Sequence, residues 1–459
     1  MATKVNNQQT NGINPHPFWM DTPPRSSRRG QFWVPGERVT VAEKTYQRGP
    51  MYVAWEAPDI AAKQYPIVLV HGGAMQGTEW LDTPDGRPGW AQRLVEAGYV
   101  VFVIDRPTQG RSPFHPDVIG AMGVPFPYEE GREVFFPEAA AKTHTQFPFD
   151  PNDAAALDAF IAPFGSLPAD LAASQEMDAE CLARLLDRIG PAIIMTHSAS
   201  GSAGWLVTDR RPKLVAAIVT VEPMGPAFAK TPGIGTLDWG LTAVPVTYDP
   251  PRATPAEVRS ADPASLRIPA LAGIPVAVVS GETSVQSTYA PKIVDFLKNA
   301  GAEAELLHLP DYGVLGNGHG LIYEKNSDQA LQPVLQWLAA HTGETKEVPG
   351  KPAGADADNG NATMFVTYTG TEGARFDRDY YMKQHLPLVM EAWGLYGLET
   401  ATALFPTGDN HETIAICICK FRDEAAIGAA LGSPQTARVM ADVGKFTDVK
   451  PTQSRSKPI

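Results

Sequence analysis

Cysteine is nearly absent: Cys181, Cys417 and Cys419 are the whole complement of a 459-residue chain. Three thiols cannot build a disulfide framework. None stands in a Cys/His cluster with metal-ligand spacing, so no metal site is expected. Cys417 and Cys419 lie two apart in an apolar run, which on a strand sends both to one face, and all three read as core residues. Positive charge is also short. Against 51 Asp and Glu there are 38 Lys and Arg, a net charge of −13, which excludes the basic surface that nucleic acid or an anionic membrane needs. No stretch approaches the ~18 uncharged apolar residues of a membrane span. Arg28 and Arg29 are followed by Pro35, Gly36, Glu37 and Arg38 before any apolar run, so no export signal is read there and a cytoplasmic protein is expected.

What is present is core enough for two domains. Apolar residues make up 43% of the chain and charged residues 19%, a globular balance, over a length beyond the ~100–200 residues of one domain. Residues 1–30 are polar and read as a disordered or extended segment. Lead-in strands fit 31–34 and 51–55. Short apolar runs follow at 67–70, 100–104, 192–195, 215–221, 276–279 and 304–309, with helical patterns between them at 177–188 and 290–300. Strands apolar on both faces, joined by helical crossovers, predict a doubly wound, mostly parallel α/β sheet spanning 31–342.

Two intervals are too long for simple connections. Residues 106–172 are rich in Pro and Phe, and 226–272 are rich in Gly and Pro around Trp239. Such insertions act as caps over a site or as satellite packing layers, and both roles are compatible. After a helix at 328–341, residues 343–362 lose nearly all large apolar side chains and read as a linker. Strands at 363–369 and 413–421 and helices at 377–393 and 424–431 then predict a small α+β domain over 363–459.

The chemistry concentrates where a buried strand ends in Thr196-His197-Ser198-Ala199-Ser200-Gly201. A serine in a strained turn between strand and helix is the arrangement of a nucleophile, and only small flanking residues fit there. The helix start aims the Ala199 amide and a positive dipole end at a developing oxyanion. A second donor belongs after an earlier strand, in His71-Gly72-Gly73-Ala74, where Gly73 is the first choice and Ala74 its neighbour. The base belongs late in the chain. His319, in the Gly-rich loop 312–320, fits, whereas His308 and His341 fall in or at the end of regular elements, and His197 is read as pointing away. Two carboxylates end strands between Ser198 and His319. These are Glu222 and Glu282, and spacing alone does not choose between them.

The stretch 65–90, with His71-Gly72-Gly73, Thr83-Pro84-Asp85-Gly86-Arg87 and Gly89-Trp90, resembles a subgroup of bacterial α/β-hydrolase esterases, as do 196–201, Val221-Glu222-Pro223 and 313–319. The resemblance covers about 31–341 and implies that the acid is Glu222, with Glu282 the alternative. It departs at Gly73 and Ala74, where such esterases can carry adjacent cysteines. Residues 363–459 resemble the EthD family of ferredoxin-like domains through Phe376-Asp377, Tyr380-Tyr381 and His385-Leu386-Pro387. That resemblance implies dimerisation through the sheet. Tyr381 and His385 share a helix face, either as a ligand pocket or packed into the sheet.

The expectation is a serine hydrolase cleaving an ester or lactone through an acyl-enzyme on Ser198, with no cofactor and a small, partly apolar substrate. The alternative is a lyase or C–C bond-cleaving enzyme using the same residues, with the EthD-like domain binding or processing the product. An intact Ser198, Glu222 and His319 argue against a binding scaffold with a degenerate site.

Overall fold

Strands buried on both faces need helices above and below them, and the chain supplies both layers. In the computed structural model, residues 26–59, 61–343, 362–370, 373–394, 396–406, 412–421, 424–433 and 435–456 are described. The chain divides into two compact units, Met1–Pro349 and Gly350–Ile459.

The first unit opens with β1 (Ser27–Val34), four residues earlier than the sequence suggests and carrying Arg28 and Arg29, while residues 1–25 of the expected N-terminal segment lie outside the described residues. A hairpin of β2 (Glu37–Val41) and β3 (Lys44–Arg48) leads to β4 (Met51–Pro58), which pairs antiparallel with β1 along its length. Then come β5 (Ile67–Val70), β6 (Val101–Asp105), β7 (Ala192–His197), β8 (Val215–Val221), the two-residue pair β9 (Lys230–Thr231) and β10 (Gly235–Thr236), β11 (Pro275–Ser280) and β12 (Glu303–His308). The large sheet has the order β1-β4-β6-β5-β7-β8-β11-β12. From β6 to β12 every neighbour is parallel. The chain leaves β5 for β6 on one side and places β7 on the other, so the order reverses there. The carboxyl ends of β5 and β7 therefore open a crevice of the kind in which α/β sheets build sites.

Alternation along the strands sends successive residues to opposite faces. Val68, Val70, Ile194, Ile218, Val276 and Val278 face one layer, with the helices Leu171–Ile189, Gly201–Arg210 and Ala290–Ala300. Ile67, Leu69, Ile193, Met195, Val219 and Val279 face the other, with Trp90–Glu96 and Ser327–Thr342. The two insertions divide between these layers. Trp239, Leu241, Val258 and Ile268 join the first, so the Gly/Pro-rich insertion is a packing layer. Phe135, Phe147, Phe149 and Phe160 join the second, as a cluster of edge-to-face rings. Across the base of the Phe-rich insertion, buried Arg106 donates from Nε and Nη2 to the Asp178 carboxylate, the shortest contact being 2.5 Å.

In the second unit, β13 (Ala362–Thr369), β14 (Leu398–Leu404), β15 (Thr413–Phe421) and β16 (Thr452–Ser456) form an antiparallel sheet of order β14-β15-β13-β16. Met364, Tyr368, Cys417 and Cys419 pack under the helices, a ferredoxin-like layer. The expected linker lies outside the described residues apart from its ends, since Ala362 already begins β13. The single helix expected at 377–393 is instead Arg378–Tyr380, a π-turn Tyr381–His385 and Leu386–Gly394. Pro387 has no N–H to continue the α ladder, and the wider turn absorbs the break. Among the described residues no helix is long and apolar enough to cross a membrane.

Candidate active site

Ser198 follows the last residue of β7 with φ 58°, the left-handed region that non-glycine residues adopt only under constraint. Its flanks explain how serine and threonine replace glycine there. Ser200 Oγ donates to the backbone oxygens of Val70 and His197, and Thr196 Oγ1 donates to Thr220 Oγ1 at 2.8 Å. Glycine is needed one residue on: a Cβ on Gly201 would lie 2.9 Å from Pro223 Cβ.

His319 reaches Ser198 from the loop after β12, with Nε2 2.9 Å from Ser198 Oγ. Its Nδ1 faces Glu222 Oε2 at 3.4 Å. Glu222 is fully buried one step beyond β8, also left-handed at φ 50°, and its Oε1 accepts the Gly281 amide at 2.6 Å. Burial holds His319 below the ordinary imidazole pKa, against the opposing pull of Glu222. Glu282 is not brought to His319. It is exposed, and its Oε2 accepts the Gly316 amide at 2.7 Å, which fastens the start of the histidine loop.

The loop after β5 lies against the nucleophile turn. A Cβ on Gly73 would stand 3.0 Å from Ala199 Cβ. The Gly72 amide is already given to Glu79 Oε1 at 2.9 Å, so Gly73 and Ala74 remain the loop's candidate donors. Ala74 has φ 60°, and its carbonyl accepts the Gly165 amide, so the Phe-rich insertion is tied to this loop. The same insertion sets the Phe135 ring 5.4 Å from His319. Two cavities share Met75 and Pro163 as walls. One, of about 320 Å³, reaches Ala74, Thr108, Phe114 and Ser166. The other, of about 210 Å³, is lined by Phe149, Ala156, Phe160 and Tyr323.

Several residues at the site carried no sequence signal. Glu324, fully buried, accepts from His144 Nε2 (2.7 Å), Asn317 Nδ2 (2.8 Å) and the Gly318 amide (3.0 Å), clamping the histidine loop to the insertion. The Thr83–Arg87 motif serves the same segment. Asp85 holds Arg87 Nε, and Arg87 Nη2 donates to the Glu324 carbonyl at 2.8 Å. His197 corrects the sequence reading. It does not point away but lies buried under His319, ring centroids 5.1 Å apart.

In the second unit, Tyr381 and His385 are buried and stacked at 5.4 Å, and His385 Nδ1 lies 2.9 Å from Asp442 Oδ2. They border a cavity of only about 30 Å³ with Cys417 and Val439.

The EthD domain family matches residues 372–450. A curated protein of a fungus (Fungal sp., strain ATCC 74256), named "Probable secreted lipase phiG", is 36% identical over 322 residues, which span 64% of this chain and 86% of that protein. A solved structure described as a novel bacterial esterase is 25% identical, with a TM-score of 0.54, covering 70% of this chain and 98% of the other.

Proposed function

This chain belongs to the α/β-hydrolases, the fold family of esterases and lipases, and carries an EthD domain at its C-terminus; from that premise we propose that it hydrolyses a carboxylic ester or lactone through an acyl-enzyme on Ser198. The observation that carries the reading is the 2.9 Å contact of His319 Nε2 with Ser198 Oγ on a left-handed turn. His319, oriented by Glu222, takes the Ser198 proton as Oγ attacks the carbonyl carbon. The amides of Ala199 and Gly73 hold the oxyanion, and His319 returns the proton to the leaving alcohol. Water then attacks the acyl carbon, and the same residues return Ser198 to its free form. The Phe135 ring 5.4 Å from His319, and a cavity of about 320 Å³ that reaches Ala74 with Met75 and Phe114 among its walls, support a small to medium, partly apolar substrate.

Two further parts belong to the same proposal. A homodimer through the second unit is supported by the sheet face opposite its helices, where Phe365 pairs with Ile418 and Leu404 with Ile416. Sedimentation of the full chain tests it. A cytoplasmic location is supported by three free, buried cysteines, while the fungal relative is named as secreted; cell fractionation tests it.

The test of the chemistry is p-nitrophenyl ester hydrolysis across acyl lengths with burst kinetics. An acyl-enzyme predicts an acyl adduct on Ser198, trapped by acid quench and read by intact mass, with a burst wherever deacylation is the slower step; no turnover at any acyl length favours lyase or C–C cleavage chemistry.

A further inference from the structure

Both ring nitrogens of His197 face acceptors. Nδ1 lies 3.2 Å from Glu79 Oε1, and Nε2 lies 3.1 Å from the carbonyl oxygen of His319. A carbonyl cannot donate, and Glu79 Oε1 already accepts the Gly72 amide. A neutral imidazole has one N–H and would leave one nitrogen lone pair against an oxygen, whereas an imidazolium donates to both. His71, equally buried nearby, shows the contrast. Its Nδ1 donates to the Gly72 carbonyl and its Nε2 accepts the Arg106 amide, the pattern of a neutral ring, with a pKa lowered to about 4 by burial and by Arg106.

We propose that His197 is a buried imidazolium, paired with the Glu79 carboxylate, that positions His319 and favours its neutral, proton-accepting form. The proposal rests on the reading of His319 as the base. It is geometric first: Glu79 links the Gly72 amide of the oxyanion loop to His197, and His197 links to the backbone of His319, so one strut joins the loop that holds the oxyanion to the loop that holds the base. It is electrostatic second. A cation stacked 5.1 Å from His319 at an interplanar angle of 30° opposes a second positive charge there. The groups facing His197 are Glu79, His319, Glu222 at longer range, and the Trp80 and Tyr323 rings. Burial disfavours charge on His197, but Glu79, the His319 carbonyl and Glu222 outweigh it and leave its pKa raised. For His319, burial is the first cause of its lowered pKa, and the charge of His197 acts in the same direction.

The strut differs from packing in what it does to pH dependence. His197→Gln keeps a side-chain N–H within reach of the His319 carbonyl but removes the charge. In the full chain, the acid limb of kcat/KM for p-nitrophenyl butyrate then moves to higher pH. Below that limb activity falls about tenfold more than on the alkaline plateau. A limb that stays in place while the plateau drops overturns the proposal and leaves His197 a packing residue. Ring ¹⁵N–¹H spectra of the wild type, with Glu79→Gln as the reference that removes the counter-ion, keep the test independent of whether His197→Gln folds. Two ring N–H groups on His197 at pH 8 are expected, and one overturns the proposal. Two N–H groups in a protein that hydrolyses no ester would instead overturn the reading of His319 as the base and leave the buried imidazolium standing.

Discussion

Glu222 and His319 stand 97 residues apart in the chain, yet Oε2 of one lies 3.4 Å from Nδ1 of the other. The contact exists because β8 lies beside β7 in the sheet, and the left-handed backbone at Glu222 turns its carboxylate back toward the nucleophile turn. Gly281, one step past β11, donates its amide to the same carboxylate and fixes it. The loop after β11 thus contributes a hydrogen-bond donor to the Glu222 carboxylate.

Glu222→Gln is expected to lower kcat by up to about 10⁴, because an amide no longer holds the imidazole in the tautomer that accepts from serine. Glu282→Gln keeps an oxygen for the Gly316 amide and changes kcat less than tenfold. Parallel steady-state kinetics on one p-nitrophenyl ester decide, and the reverse ranking contradicts the assignment.

Burial keeps His319 below the ordinary imidazole value, and a protonated His319 cannot accept from Ser198. Activity therefore rises with pH through that lowered pKa and is already level near neutrality. A kcat/KM profile measured from pH 4 to 9 checks this; a limb above ~6.5, the unperturbed histidine value, contradicts it.

Glu324 is held to be the clamp on the histidine loop. Glu324→Gln turns one acceptor into a donor facing the His144 ring, the Asn317 amide or the Gly318 N–H. A buried donor left unpaired costs about 1–3 kcal/mol, so Tm falls. The displaced loop is also expected to lower kcat at least about tenfold, since small misplacements of a base are costly. Loss of Tm with full activity would make the clamp structural only.

Asp178→Ala strands the Arg106 guanidinium in the interior. Removing one partner of a buried pair typically costs about 3–5 kcal/mol. Urea unfolding followed by tryptophan fluorescence measures this; a change under about 1 kcal/mol contradicts it.

Most of the large sheet is legible in the sequence because parallel strands buried on both faces leave nearly unbroken apolar runs. The strands at 67–70 and 215–221 are read to the residue. Ser198 and His319 are legible because each follows a strand in a turn, whereas Glu222 and Glu282 both stand at strand ends and only the resemblance to bacterial esterases favours Glu222. Edge strands β14 and β16 are not, since Thr452–Ser456 is polar and Leu398–Leu404 alternates only weakly. The supporting charges are also illegible. Glu79, His197 and Glu324 look like surface residues by type. What buries them is a set of partners up to 180 residues away, as with His144 and Glu324, and no local spacing encodes that. His197 is the sharpest miss. Its place beside the nucleophile suggested that it points away, but the strand's alternation drives it into the core beneath the base.

The most direct test is active-site labelling of the full chain with a fluorophosphonate, read by intact mass and peptide mapping, alongside ester hydrolysis by wild type and Ser198→Ala. The account predicts one adduct per chain on Ser198, with hydrolysis and labelling both lost in the variant. Labelling elsewhere, or ester hydrolysis that survives Ser198→Ala, would contradict it.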